Sequence, residues 1–77
     1  MTWNYRVIEF VTPEGEPWRA IHEVHYDDAG KPSGYTENPA SIVWDEGLSE
    51  PRTIIMKMLA ALNQPVLVET DFGRRDD

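Results

Sequence analysis

Two histidines and two acids fall close together in His22, Glu23, His25 and Asp27, residue types that ligate metals or move protons. On an extended segment, residues three apart point to opposite faces, so the two imidazoles cannot meet at one metal from a single strand. The chain has no cysteine to add a thiolate ligand. His22 reads as a core-face histidine satisfied by a hydrogen bond, His25 as a solvated one, and no metal site is assigned. Gly30-Lys31-Pro32-Ser33 has the look of a phosphate loop. That loop requires Gly-Lys followed directly by Ser or Thr, and a glycine five residues earlier, where His25 stands. Turn chemistry accounts for the segment instead. Serines, histidines and acids are present, but no spacing selects a nucleophile, a base and an orienting acid, so no catalytic residue and no cofactor are assigned.

Charge and aromatics carry more. The net charge is −7, and residues 27–50 hold Asp27, Asp28, Glu37, Asp45, Glu46 and Glu50 against Lys31 alone. Such a field repels nucleic acid and anionic membrane and favours a basic partner. Trp3, Tyr5, Trp18, Tyr26, Tyr35 and Trp44 would suit a base-stacking platform, but those platforms line basic grooves and this chain has seven basic residues. Trp18 and Tyr26 are expected in the core. Tyr35 and Trp44, flanked by acids, are the better candidates for exposed aromatic anchors within a polar rim. The partner-contacting set is therefore Asp27, Asp28, Tyr35, Glu37, Trp44, Asp45 and Glu46. The plainer reading is that the acids keep a small domain soluble and that Trp44 caps the sheet.

The elements that position these residues follow from local signals. Trp3 to Val11 is aromatic and β-branched and stops at Thr12-Pro13-Glu14-Gly15-Glu16-Pro17, a turn. Trp18 to Tyr26 forms a second strand with Trp18, Ala20, His22, Val24 and Tyr26 on one face. Arg19, Glu23, His25 and Asp27 mark the other face as solvated, Ile21 excepted. Asp27-Asp28-Ala29-Gly30-Lys31-Pro32 is a second turn, with Gly30 suited to a positive φ. A third strand begins near Tyr35-Thr36 and is interrupted by Glu37-Asn38-Pro39, because proline donates no hydrogen bond to a ladder. Ser41-Ile42-Val43-Trp44 either completes that strand or packs as a loop.

A helix follows, with Ser49 as N-cap and Glu50 and Pro51 in its first turn. Ile54, Ile55, Met58, Leu59 and Leu62 make one apolar stripe, and Asn63-Gln64-Pro65 ends the helix. Pro65-Val66-Leu67-Val68 offers an edge strand, and the chain from Phe72 onward reads as a frayed tail. The expected fold is α+β: a small antiparallel sheet of three or four strands covered on one face by one helix, as one domain over residues 1–70 with a tail over 71–77. A chain of 77 residues supports one domain with little room for a deep cleft. The lack of cysteine, of a leader-like N-terminus and of a long apolar run sets a cytoplasmic, membrane-free expectation.

Trp3-Asn4-Tyr5-Arg6-Val7-Ile8, Ile21-His22-Glu23-Val24-His25-Tyr26-Asp27 with Gly30-Lys31-Pro32, and Tyr35-Thr36-Glu37-Asn38-Pro39 resemble a widespread family of short bacterial proteins of unknown function. Met58-Leu59-Ala60-Ala61-Leu62 with Pro65-Val66-Leu67 fits the same pattern. The resemblance spans residues 3 to 68. It implies a bacterial or phage origin and supplies no activity. The chain departs from the pattern in its proline-bearing turn at 12–17 and around Ile42 to Glu50. In order of elements alone it is also similar to HicB-type antitoxin domains. Three functional readings result: a non-catalytic acidic module binding a basic protein partner, an inhibitor of a nucleic-acid-binding machine by mimicry (anti-CRISPR or antitoxin type), and a small hydrolase or metal protein using a histidine. Pairing of sheet edges into a homodimer is left open.

Overall fold

Aromatic and β-branched residues fill Thr2–Val11 and Pro17–Tyr26, and both runs form ten-residue strands, β1 and β2. The computed structural model describes residues 2–42 and 51–72. After β2 come a short strand β3 (Pro32–Tyr35), one helix α1 (Pro51–Ala61), a two-residue strand β4 (Leu67–Val68) and a 3-10 turn, Glu69–Asp71. The strands form one sheet in the order β3-β2-β1-β4. β1–β2 and β2–β3 are antiparallel, whereas β4 runs parallel to β1. The fold is α+β, as expected, with a mixed rather than purely antiparallel sheet.

Both hairpin turns use one plan. In the first, Thr12 N–H donates to the Glu16 carbonyl (2.9 Å) and Gly15 N–H to the Thr12 carbonyl (2.8 Å). In the second, Asp27 N–H donates to the Lys31 carbonyl and Gly30 N–H to the Asp27 carbonyl, both at 2.9 Å. The fourth residue of each turn is glycine at φ +90 or +82, a region that a side chain rarely tolerates. The first residue's side chain adds a cap. Thr12 Oγ1 accepts from Glu16 N–H (3.0 Å), and Asp27 Oδ1 accepts from both Ala29 N–H and Lys31 N–H (2.9 Å each).

The third strand starts earlier than the sequence suggested, at Pro32, and ends at Tyr35. Beyond it the chain still follows β2: Thr36 N–H donates to the Glu23 carbonyl (3.1 Å) and Ala40 N–H to the Ile21 carbonyl (2.8 Å). Between these two bonds lies Glu37-Asn38-Pro39, the interruption expected of a proline. Ser41 and Ile42 are exposed and outside any strand, and Val43 and Trp44 lie outside the described residues. So do Ser49 and Glu50, the expected cap and first turn of the helix. The helix closes through tightening bonds, Leu62 N–H to the Leu59 carbonyl (3.0 Å) and Asn63 N–H to the Ala60 carbonyl (3.1 Å).

Directly paired residues share a face, so the register assigns both sides of the sheet. One side, the histidine face, carries Arg6, Ile8 and Phe10 of β1 with Trp18, His22, Val24 and Tyr26 of β2. The other, the helix face, carries Trp3, Tyr5 and Val7 with Ile21, Glu23 and His25. The buried cluster Ile8, Val24, Leu67 and Phe72 lies on the histidine face, with Phe10, Tyr26 and Tyr35 packed against it. Phe72 thus belongs to the core, and its ring lies 4.7 Å from that of Tyr35. This corrects the expectation of a frayed tail beginning there: the 3-10 turn redirects the chain so that Phe72 folds back onto the sheet, and Asp71 Oδ2 accepts from Val68 N–H at 2.8 Å. Trp18 is another correction. It stacks on Phe10 at 4.8 Å but stays 46% exposed, because it sits at the turn end of the hairpin with one ring beneath it.

α1 packs on the side read as solvated, over β1. Lys57 Nζ lies 5.9 Å over the Trp3 ring, and Met58 and Ala61 are the helix residues that become buried. On that side β2 presents the polar Arg19, Glu23 and His25, while β1 presents Trp3, Tyr5 and Val7 ahead of a single acid, Glu9. The helix follows the apolar strand.

Candidate functional site

His22 is the buried polar side chain of the sheet, 2% exposed. Thr36, held by its bond to Glu23, turns its carbonyl onto the imidazole, and Nδ1 lies 2.8 Å from it. A carbonyl only accepts, so Nδ1 carries a proton and donates it to this bond. The Phe10 and Tyr35 rings flank the imidazole at 5.3 and 5.4 Å, and Nε2 has no hydrogen-bond partner among the described residues. A second buried atom without a partner, Arg6 Nε, belongs to the residue paired directly with His22. The remaining Arg6 donors are used. Nη1 donates to the Tyr26 hydroxyl (3.0 Å) and Nη2 to the Pro65 carbonyl (2.7 Å), while that hydroxyl donates to Asn4 Oδ1 (2.7 Å). Arg6 therefore ties both long strands to the connection between α1 and β4.

His22 and His25 lie on opposite faces, as the strand geometry requires. Among the described residues no group of three His, Asp or Glu side chains is arranged to hold a metal ion.

The acidic and aromatic candidates are dispersed. Asp27 is committed to its turn by the two amides it caps. Asp28 is exposed at the tip of that turn, and Glu37 is exposed past the other end of β3. Tyr35, read as an exposed anchor, turns its ring into the cluster between His22 and Phe72, because it pairs with Val24 and shares that residue's face. Its hydroxyl donates to Glu69 Oε2 at 3.2 Å. Burial, followed by the Glu69 charge and that bond, holds the phenol above the ordinary tyrosine range. Trp44, Asp45 and Glu46 lie outside the described residues.

The surface that sequence reasoning missed is on the helix. Its apolar stripe is wider than the sheet beneath it can cover. Met58 and Ala61 face inward and Ile54 is half-buried, whereas Ile55, Leu59 and Leu62 remain 47%, 54% and 62% exposed. Met56 and Val66 extend the outward patch. The available signal was Ala61: a small residue lets a helix approach a sheet closely, and Ala61 is 1% exposed at that contact. A shallow cleft of about 340 Å³ opens on the other flank of the helix, between Trp3, Tyr5 and Lys57. On the helix face Arg19 Nε pairs with Glu9 Oε1 at 2.9 Å, a solvent-exposed contact.

Compared with known proteins, the chain matches no family model, no curated protein and no solved structure. Among the described residues no helix is long and apolar enough to cross a membrane.

Proposed function

We propose that the protein is a non-catalytic binding module that docks a basic protein partner. The observation that carries this reading is the outward half of the helix stripe, Ile55, Leu59 and Leu62 with Met56 and Val66, left uncovered in a domain too small to waste apolar area. A contiguous apolar patch of this kind is stabilised by association, and the unbranched Met56 within it can adapt to a complementary surface. The net charge of −7 supplies the long-range part. It selects a partner whose own apolar patch is rimmed by lysine and arginine, and it speeds encounter at low salt. Asp28 and Glu37 are exposed acids positioned for steering.

The alternative using histidine chemistry fits less well, since His22 is enclosed by aromatic rings and has one nitrogen committed to Thr36.

The test is capture from a lysate of the organism that carries the chain, repeated across a salt series and with Asp28→Lys/Glu37→Lys. Expected is one partner with a basic surface, recovered less well by the charge-reversed protein and as salt rises. Undiminished capture by that protein at every salt concentration would contradict the reading, as would a partner displaced by added nucleic acid, which would favour mimicry.

A further inference from the structure

We propose that the cleft between β1 and α1 binds a small aromatic carboxylate, a flat ring bearing a single negative charge. The walls are built by strand alternation. Trp3 and Tyr5 stand two residues apart on the same face, and their rings meet edge to face at 5.3 Å and 90°. A planar group stacking on one ring therefore abuts the other, a right-angled seat with two aromatic surfaces. The opposite wall is α1, where Ala60 and Ala61 have no side chain beyond Cβ, and this keeps the cleft open at about 340 Å³. That volume lies at the small end of ligand pockets and suits one or two fused rings with an acid group. The Gln64 carboxamide lines the same space and supplies a donor for a carboxylate oxygen.

Charge selects an anion. Lys57 reaches over the Trp3 ring with its ammonium 5.9 Å from the ring centre, at the outer limit of a cation–π contact. Among the described residues its ammonium forms no ion pair, although acids outnumber bases two to one in the chain. Residues 51 to 68 contain no acid at all. Beside the aromatic cleft this ammonium has no acid partner among the described residues, and a ligand's own carboxylate would match it. Glu23, paired with Tyr5 on the same face, disfavours a second anionic group and restricts the ligand to one charge. The cleft lies on the flank of α1 away from Leu59, so the site is independent of the protein-docking stripe.

The probe is 2-naphthoate, with the neutral 2-naphthamide as control, titrated into the full chain while amide and indole signals are followed by nuclear magnetic resonance. Expected is a saturable shift of the Trp3 indole N–H and the Gln64 side-chain amide, with 2-naphthamide binding about tenfold more weakly, equivalent to loss of about 1.4 kcal/mol. Lys57→Met should weaken 2-naphthoate to the level of the amide. Ala60→Leu, which keeps the lysine and fills the cleft at an exposed helix position, should abolish both. The proposal is overturned if neither compound shifts Trp3 at millimolar concentration, if acid and amide bind equally, or if Ala60→Leu binds as the unchanged chain does.

Discussion

The two faces of the sheet are finished differently. The histidine face is closed by its own chain: Tyr35 arrives from β3, Phe72 folds back from the 3-10 turn, and Phe10 and His22 join them in one aromatic cluster. The helix face is half finished. α1 covers part of β1, leaves a cleft beside Trp3 and Tyr5, and turns the rest of its apolar stripe to solvent. The contrast teaches where each residue's contribution lies. Side chains of the first face stabilise the fold, and those on the outer part of the second are free to bind.

The largest effects expected are on the closed face. Ile8→Ala removes a fully buried side chain beside Leu67 and Phe72 and should cost about 3 kcal/mol in urea denaturation, a large share of the stability of so small a domain. If it costs no more than a surface change, the two faces are not energetically distinct. His22→Leu should cost roughly 1–3 kcal/mol, since it strips the Thr36 carbonyl of its donor while keeping the volume. A neutral result would mean that relief of the unpartnered Nε2 offsets that loss.

Smaller effects sharpen the picture at its margins. Asp27→Ala removes a carboxylate that caps two amides, whereas Thr12→Ala removes a hydroxyl that caps one. About 1 kcal/mol is expected for the first and less for the second, and equal midpoints would show that the glycines alone set the turns. The smallest effect is a slope with pH. The Tyr35 phenol is harder to ionise folded than unfolded, so its contribution is intact below about pH 10 and is lost as pH rises beyond, where the unfolded chain releases the proton first. Tyr35→Phe should flatten that alkaline decline, and an unchanged decline would remove Tyr35 from the account.

Much of the fold was legible from residues. Strand runs, both turns, the helix and its end, and an edge strand at Leu67 follow from periodicity and from Gly, Pro and Asp chemistry. The face chosen by the helix did not follow, because the polarity of β2 outweighed the alternation Trp3, Tyr5, Val7 in β1. Phe72 was missed for a related reason: one aromatic in a polar tail has no periodicity, and its burial depends on a turn that brings it back beside Tyr35. Tyr35 was misjudged by its acidic neighbours, since pairing with Val24 decides its direction. The outward stripe was visible as apolar residues but not as a surface, because sequence spacing cannot say how much of an arc a narrow sheet will cover.

The most direct test of the central claim uses two adjacent helix residues, Met58 facing in at 8% exposure and Leu59 facing out at 54%. Met58→Ser and Leu59→Ser are compared for urea midpoint and for retention of the captured partner. The account predicts that Met58→Ser loses several kcal/mol of stability, while Leu59→Ser stays within about 0.5 kcal/mol of the unchanged chain and loses the partner. A stable Leu59→Ser that still holds the partner at full strength would contradict it.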